Sequence, residues 1–141
     1  MIEFGFPDGR LEQYKLQMIE LIGSVVPEGG CCVAPWWADG HPDHDAVGRA
    51  AASACSWLNA TLLLYPVWSW HWSHPGDPSL PWDRATCLSL PAHVLDRKAV
   101  AINEFTSQIT PLSDAPADGA ILPPPILDRF RRPYEVFFRC R

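Results

Sequence analysis

No apolar run in the 141 residues approaches the ~20 needed for a membrane-spanning helix, so no membrane span is expected. A basic excess is also missing. Eleven Lys and Arg stand against 16 Asp and Glu, for a net charge of -5, whereas binding a phosphate backbone needs a concentrated basic patch. A nucleic-acid partner is therefore not expected, and the local cluster Arg129, Arg131, Arg132, Arg139 and Arg141 reads as a solvated face. The cysteines Cys31, Cys32, Cys55, Cys87 and Cys140 are odd in number and show no C-x-x-C spacing, so neither a disulfide framework nor a thiolate zinc knuckle is signalled. They are expected to be reduced and mostly buried. The opening MIEFGFPDGR lacks the basic and apolar regions of a secretory signal, and a cytoplasmic location is expected.

What is present suits one globular domain. The apolar fraction is 48% and the charged fraction 19%, and a chain of this size can bury roughly 70% of its unfolded surface. Fifteen prolines, clustered over 66–91 and 111–133, mark those stretches as loop-rich. Residues 2–6 read as the tail of a strand entering a turn at Pro7, Asp8 and Gly9. Leu11, Tyr14, Met18, Leu21, Ile22 and Val25 recur at helical spacing, predicting an amphipathic helix over 11–25. The apolar run 31–34 predicts a buried strand. Pro42, Asp43 and Asp45 suit the first turn of a helix, which runs through small residues to about Leu58. A second buried strand is predicted over 61–67. Strand, helix, strand points to an α/β fold with a mainly parallel sheet flanked by helices.

Further on, Trp68, Trp70 and Trp72 alternate with Ser69, His71 and Ser73, predicting one aromatic and one polar face. Residues 75–85 read as a loop, 86–90 as a short strand, 94–107 as a helix and 109–125 as a connection. A short helix over 126–130 and a terminal strand over 134–138 complete the pass. The Trp/His stretch could line a sugar or acyl pocket, with Trp70, His71 and His74 meeting substrate, or could simply be a packing loop.

The chemistry gathers at His41, Pro42, Asp43 and His44. On a helix, His41 and His44 share one face. Two imidazoles beside a carboxylate suit a divalent metal such as zinc, with the carboxylate orienting a ligand; alternatively the histidines cap the helix and bind nothing. Catalytic zinc takes three protein ligands plus water, and no other cluster completes the set, since His71 and His74 share their own loop and His93 stands apart. Asp39, before Gly40, reads as a turn residue, with ligand binding as the alternative.

Asp39-Gly-His-Pro-Asp-His-Asp-Ala-Val-Gly-Arg-Ala-Ala51 resembles the second signature of the PIG-L (LmbE-like) deacetylases, metal-dependent enzymes that remove acetyl groups from N-acetylated amino sugars and related amides. Phe4 to Leu11, Tyr65 to Trp72, Lys98 to Gln108 and Arg132 to Phe137 are similar in style to flanking segments of that family, so the likeness extends along nearly the whole chain. The resemblance implies a Rossmann-like fold. It implies that His44 is the metal ligand, that His41 stabilises the oxyanion of the attacked amide, and that Asp43 orients His41.

The family's earlier His-Pro-Asp-Asp-Glu motif, which supplies two further zinc ligands and the general base, does not occur in these residues. The resemblance therefore implies a single, N-terminally incomplete PIG-L-like domain over 1–141, truncated before its first βα unit. Little or no hydrolase activity is expected of this polypeptide alone. The partners so implied are an N-acetylated small molecule and either a second copy of the chain or a complementing N-terminal fragment. The alternative is a non-catalytic remnant, a small ligand-binding or interaction module.

Overall fold

A computed structural model describes residues 1–140; Arg141 of the basic cluster lies outside the described residues. After a 3-10 turn at Leu11–Tyr14, the elements are α1 (Lys15–Val25), β1 (Cys31–Pro35), α2 (Pro42–Trp57), β2 (Thr61–Tyr65), α3 (Ser69–Trp72), β3 (Ala85–Ser89), α4 (Ala92–Glu104), α5 (Thr106–Ile109), α6 (Pro124–Phe130) and β4 (Tyr134–Cys140). No helix among the described residues is long and apolar enough to cross a membrane.

The chain is mixed α/β. β1 and β2 run parallel, in register from Cys31 opposite Thr61 to Pro35 opposite Tyr65. β4 then lies antiparallel to β2, with Leu64 opposite Phe138. The four-stranded sheet has the order β1-β2-β4-β3, so it is mixed, in contrast to the mainly parallel sheet that the sequence predicts. Parallel neighbours need a long crossover, and α2 provides it between β1 and β2. β4 enters beside β2 from the opposite direction.

Two compact units are distinguished: Met1–Thr86 together with the strand from Val136, and Cys87–Glu135. In the first, α2 is a small-residue helix with two working faces. Ala46, Ala50 and Ala54, spaced by one turn, meet Met18 and Ile19 of α1, while Ala51 and Cys55 meet Ala34, Leu62 and Leu64 of the sheet. Alanine on both faces brings backbone close to backbone. Gly48 marks the limit: a Cβ there would lie 2.5 Å from the Pro35 carbonyl oxygen and 2.7 Å from the Trp37 nitrogen. The second unit holds α4, α5 and α6. Leu127 is its one buried apolar side chain among the described residues. The Leu90 amide donating to the Pro133 carbonyl oxygen and the Lys98–Glu135 ion pair lie within it.

Several sequence expectations change. Residues 2–6 form no strand; Gly5 adopts φ +65°, and Phe6 turns onto Tyr14 with ring centroids 5.2 Å apart. The helix expected over 94–107 breaks at Phe105 (ψ 57°) into α4 and α5. Of the cysteines, Cys31 and Cys87 are exposed and only Cys55 is fully buried.

Gly48→Ala should destabilise the protein by about 2 kcal/mol or more, because the obstructing atoms are backbone and cannot rotate aside. Gly23→Ala, in α1 with nothing within 4 Å of the added Cβ, should stabilise by about 0.5 to 1 kcal/mol. Urea unfolding midpoints of the two variants measure both.

Candidate functional site

The site forms where β1 and β2 end. Past Pro35, the Trp36 amide still donates to the Tyr65 carbonyl oxygen at 2.9 Å, and the chain then turns through Asp39 and Gly40 into α2. Gly40 has φ +88°, which favours glycine, and a Cβ there would sit a tight 3.0 Å from the indole nitrogen of Trp72. That indole N–H donates to the Asp39 carbonyl oxygen at 2.9 Å. Asp45 closes the turn by accepting from the amides of Asp39 (2.9 Å) and Gly40 (3.2 Å).

Asp39 is fully buried, and its carboxylate is saturated. Oδ1 accepts from the amides of Val67 and Ser69, both at 2.9 Å, and from the Ser69 hydroxyl at 2.8 Å. Oδ2 accepts from the Trp68 amide at 2.7 Å and from His44 Nδ1 at 2.6 Å. Burial alone would raise this carboxyl's pKa. The hydrogen bonds from His44, Ser69, Val67 and Trp68 outweigh that and hold it below the ordinary aspartate value.

Three successive amides converging on one carboxylate impose a helical turn, because successive amides in a strand point to opposite sides. Residues 69–72 are accordingly the short helix α3 in place of the expected alternating segment. The tryptophans do not share a face: Trp70 is buried, while Trp68 and Trp72 remain partly exposed.

The two histidines of the motif are locked in opposite tautomers. A carboxylate cannot donate, so the 2.6 Å contact with Asp39 requires a proton on His44 Nδ1 and, in the neutral ring, leaves Nε2 with the lone pair. At His41, the N-cap of α2, Nδ1 accepts from the Asp43 amide at 3.3 Å, so in the neutral ring Nε2 carries the proton. One ring offers an acceptor and its neighbour a donor. Their centroids are 4.4 Å apart. Trp68 stands edge-on to His41 at 6.2 Å and stacks on His71 at 4.4 Å, so four rings form a row.

The structure thus brings His41 and His44 together and links His71 to them only through Trp68. Asp43 meets His41 through its amide, while its carboxylate accepts from Gly9 N at 2.6 Å and Leu11 N at 3.2 Å and ties down the N-terminal segment. Burial raises the Asp43 carboxyl and those amides lower it, with the lowering dominant. Trp70 sits in the interior. His74 lies at the surface, with Nε2 3.6 Å from Asp77 Oδ2. Sequence reasoning does not single out Asp39 and Ser69 as the organising pair; the available signal is an acid four residues past an apolar strand, before a glycine.

Comparison with family models, with curated proteins and with solved structures gives no match. Among the described residues, no three His, Cys, Asp or Glu side chains gather in a group able to hold a metal ion.

Asp39→Asn should cost about 3 kcal/mol or more, since an amide cannot accept all five bonds and one N–H must face other donors. Ser69→Ala removes one bond and should cost about 1 kcal/mol. A carboxyl held below its unfolded value contributes stability that is fully present above about pH 4 and is lost as pH falls through the folded value. The urea midpoint of the parent should therefore drop below about pH 4, with a shallower acid dependence in Asp39→Asn.

Proposed function

We propose that this chain carries one half of a PIG-L-type amide-hydrolysing site, a deacetylase half-site for an N-acetylated amino sugar or related amide. On this reading the β1-α2-β2 crossover belongs to a Rossmann-like sheet. The observation that carries it is the pair of hydrogen bonds at the two Nδ1 atoms, one to the Asp39 carboxylate and one from the Asp43 amide, which give the neutral rings opposite tautomers. The His41 Nε2–H is a donor suited to the oxygen of an attacked amide, where negative charge develops. His44 Nε2 is a lone pair held in place by a buried carboxylate, the arrangement found behind metal-bound imidazoles. Zinc would be the metal such a site takes in the complete family pattern.

These residues do not fit a resident zinc ion. A catalytic zinc needs three protein ligands, and His44 supplies one, with Asp39 fully occupied beneath it. No hydrolytic step is therefore assigned to this polypeptide by itself. A second reading, a small-ligand module that binds without hydrolysis, is favoured by the ring row of His44, His41, Trp68 and His71, because partly exposed aromatic rings with polar edges suit sugar or acyl groups.

Acetate release from an N-acetyl sugar separates these readings. The chain alone should release none and should not retain one equivalent of zinc through dialysis. Added to a polypeptide carrying the His-Pro-Asp-Asp-Glu strand and helix, it should restore release, reduced about 100-fold or more by His41→Ala and abolished by His44→Ala. Tight zinc and acetate release by the chain alone would sink the half-site. Failure of complementation, together with sugar-dependent quenching of tryptophan fluorescence, would favour the binding module.

A further inference from the structure

A cleft of about 280 Å³, lined by none of the histidines, opens in the first unit between the sheet and the loop of residues 78–84. Its floor is apolar and tightly packed: Trp36, Leu64, Leu80 and Phe138 are each at most 5% exposed, and Phe138 lies edge-on to Trp36 with ring centroids 5.3 Å apart. Trp37 forms part of the wall. The rim carries two guanidinium groups and one carboxylate, that of Asp83. Arg84 and Arg139 border both this cleft and a wider groove of about 620 Å³ beside it.

Neither arginine is held in a close ion pair among the described residues. Arg139 makes no ion pair among the described residues. Arg84 has only Asp83, with Nε 3.9 Å from Oδ2 and the two side chains 50% and 80% exposed, a pairing worth little in water. Two guanidinium groups and the exposed Asp83 carboxylate thus share one opening, a local excess of one positive charge in a chain of net charge -5.

The loop that closes the cleft is held before any ligand arrives. Asp77 is buried and accepts from the Ser79 amide at 2.9 Å. Its carbonyl oxygen accepts from the Leu80 amide at 3.2 Å and from the Trp82 indole at 2.7 Å. Trp82 in turn lies edge-on to Phe138, with centroids 6.2 Å apart. A pre-formed wall spares a ligand the cost of ordering it.

We propose that this cleft binds a small organic anion, a carboxylate or phosphate monoester on an aromatic or branched apolar body, the charge lying between Arg84 and Arg139 and the body on Trp37 and Leu80. Guanidinium groups match both kinds of head group through paired N–H donors. The volume suits a body of about one aromatic ring, near the lower end of ligand pockets. The apolar floor separates this site from one for a bare inorganic ion.

The test is a titration of the isotopically labelled chain with phenyl phosphate and with benzoate, following the arginine Nε–H and tryptophan indole resonances by NMR. Saturable shifts at Arg84, Arg139 and Trp37 are expected with at least one of the two, the tighter one identifying the head group. Benzyl alcohol and inorganic phosphate should each bind about 10-fold more weakly or worse, and Arg84→Gln and Arg139→Gln should each weaken binding about 10-fold with the backbone spectrum intact. Asp83→Asn removes the competing carboxylate and should tighten binding about 2-fold. Absence of any saturable shift, shifts that persist in the double arginine variant, inorganic phosphate binding as well as phenyl phosphate, or weaker binding in Asp83→Asn would each overturn the proposal.

Discussion

The rest of the first unit depends on one buried charge. A fully buried carboxylate is tolerable only when its lone pairs are filled, and Asp39 is filled from two directions, by the loop after β2 and by the first turn of α2. The requirement runs both ways. The carboxylate needs those donors, and three successive amides, those of Val67, Trp68 and Ser69, take their orientation from it. The conformation of the aromatic segment and the tautomer of His44 thereby become consequences of a single residue. Moving the loop would strip the carboxylate of most of its partners and leave the imidazole to carry the charge alone.

Close packing sets the second constraint. α2 delivers His41 and His44 to the strand ends only because its axis sits near both α1 and the sheet, and alanine and glycine make that distance possible. Larger side chains would bury more apolar area but would lift the helix and carry its N-terminus away from Tyr65 and Val67. The small residues thus trade hydrophobic area for placement. Asp43 and Asp45 add to the precision: one pins the segment around Gly9 and Leu11, the other pins the turn at Gly40.

Much of this is legible in the sequence, for local reasons. β1, α2 and β2 each announce themselves by an apolar run or by small-residue spacing bounded by turn signals, and their observed bounds depart from expectation by two residues at most. The segment from Trp68 to Trp72 misleads because its alternation suggests one aromatic and one polar face, whereas its conformation is dictated by a carboxylate 28 to 30 positions away. Asp39 is hard to find for a related reason. Asp-Gly is an ordinary turn pair, and nothing local distinguishes a solvated turn aspartate from one that the fold will bury. The mixed sheet is equally hidden, since β4 reads as a strand but its direction beside β2 is set by the path of the chain between them.

The tautomers extend the argument from structure to chemistry. Imidazole chemistry is ambiguous in solution, where either nitrogen carries the proton, and a site that needs one donor and one acceptor must remove that ambiguity twice. Here the two devices differ in kind. His44 is fixed by a buried charge, so its acceptor character is robust to small movements; His41 is fixed by a longer bond from a helix N-terminal amide, which also satisfies a donor the helix would otherwise leave unpaired. Both devices use groups that the fold already requires for α2 and for the turn before it. The donors and acceptors that orient the pair all belong to the fold of this chain, and in the neutral rings so does its chemical polarity.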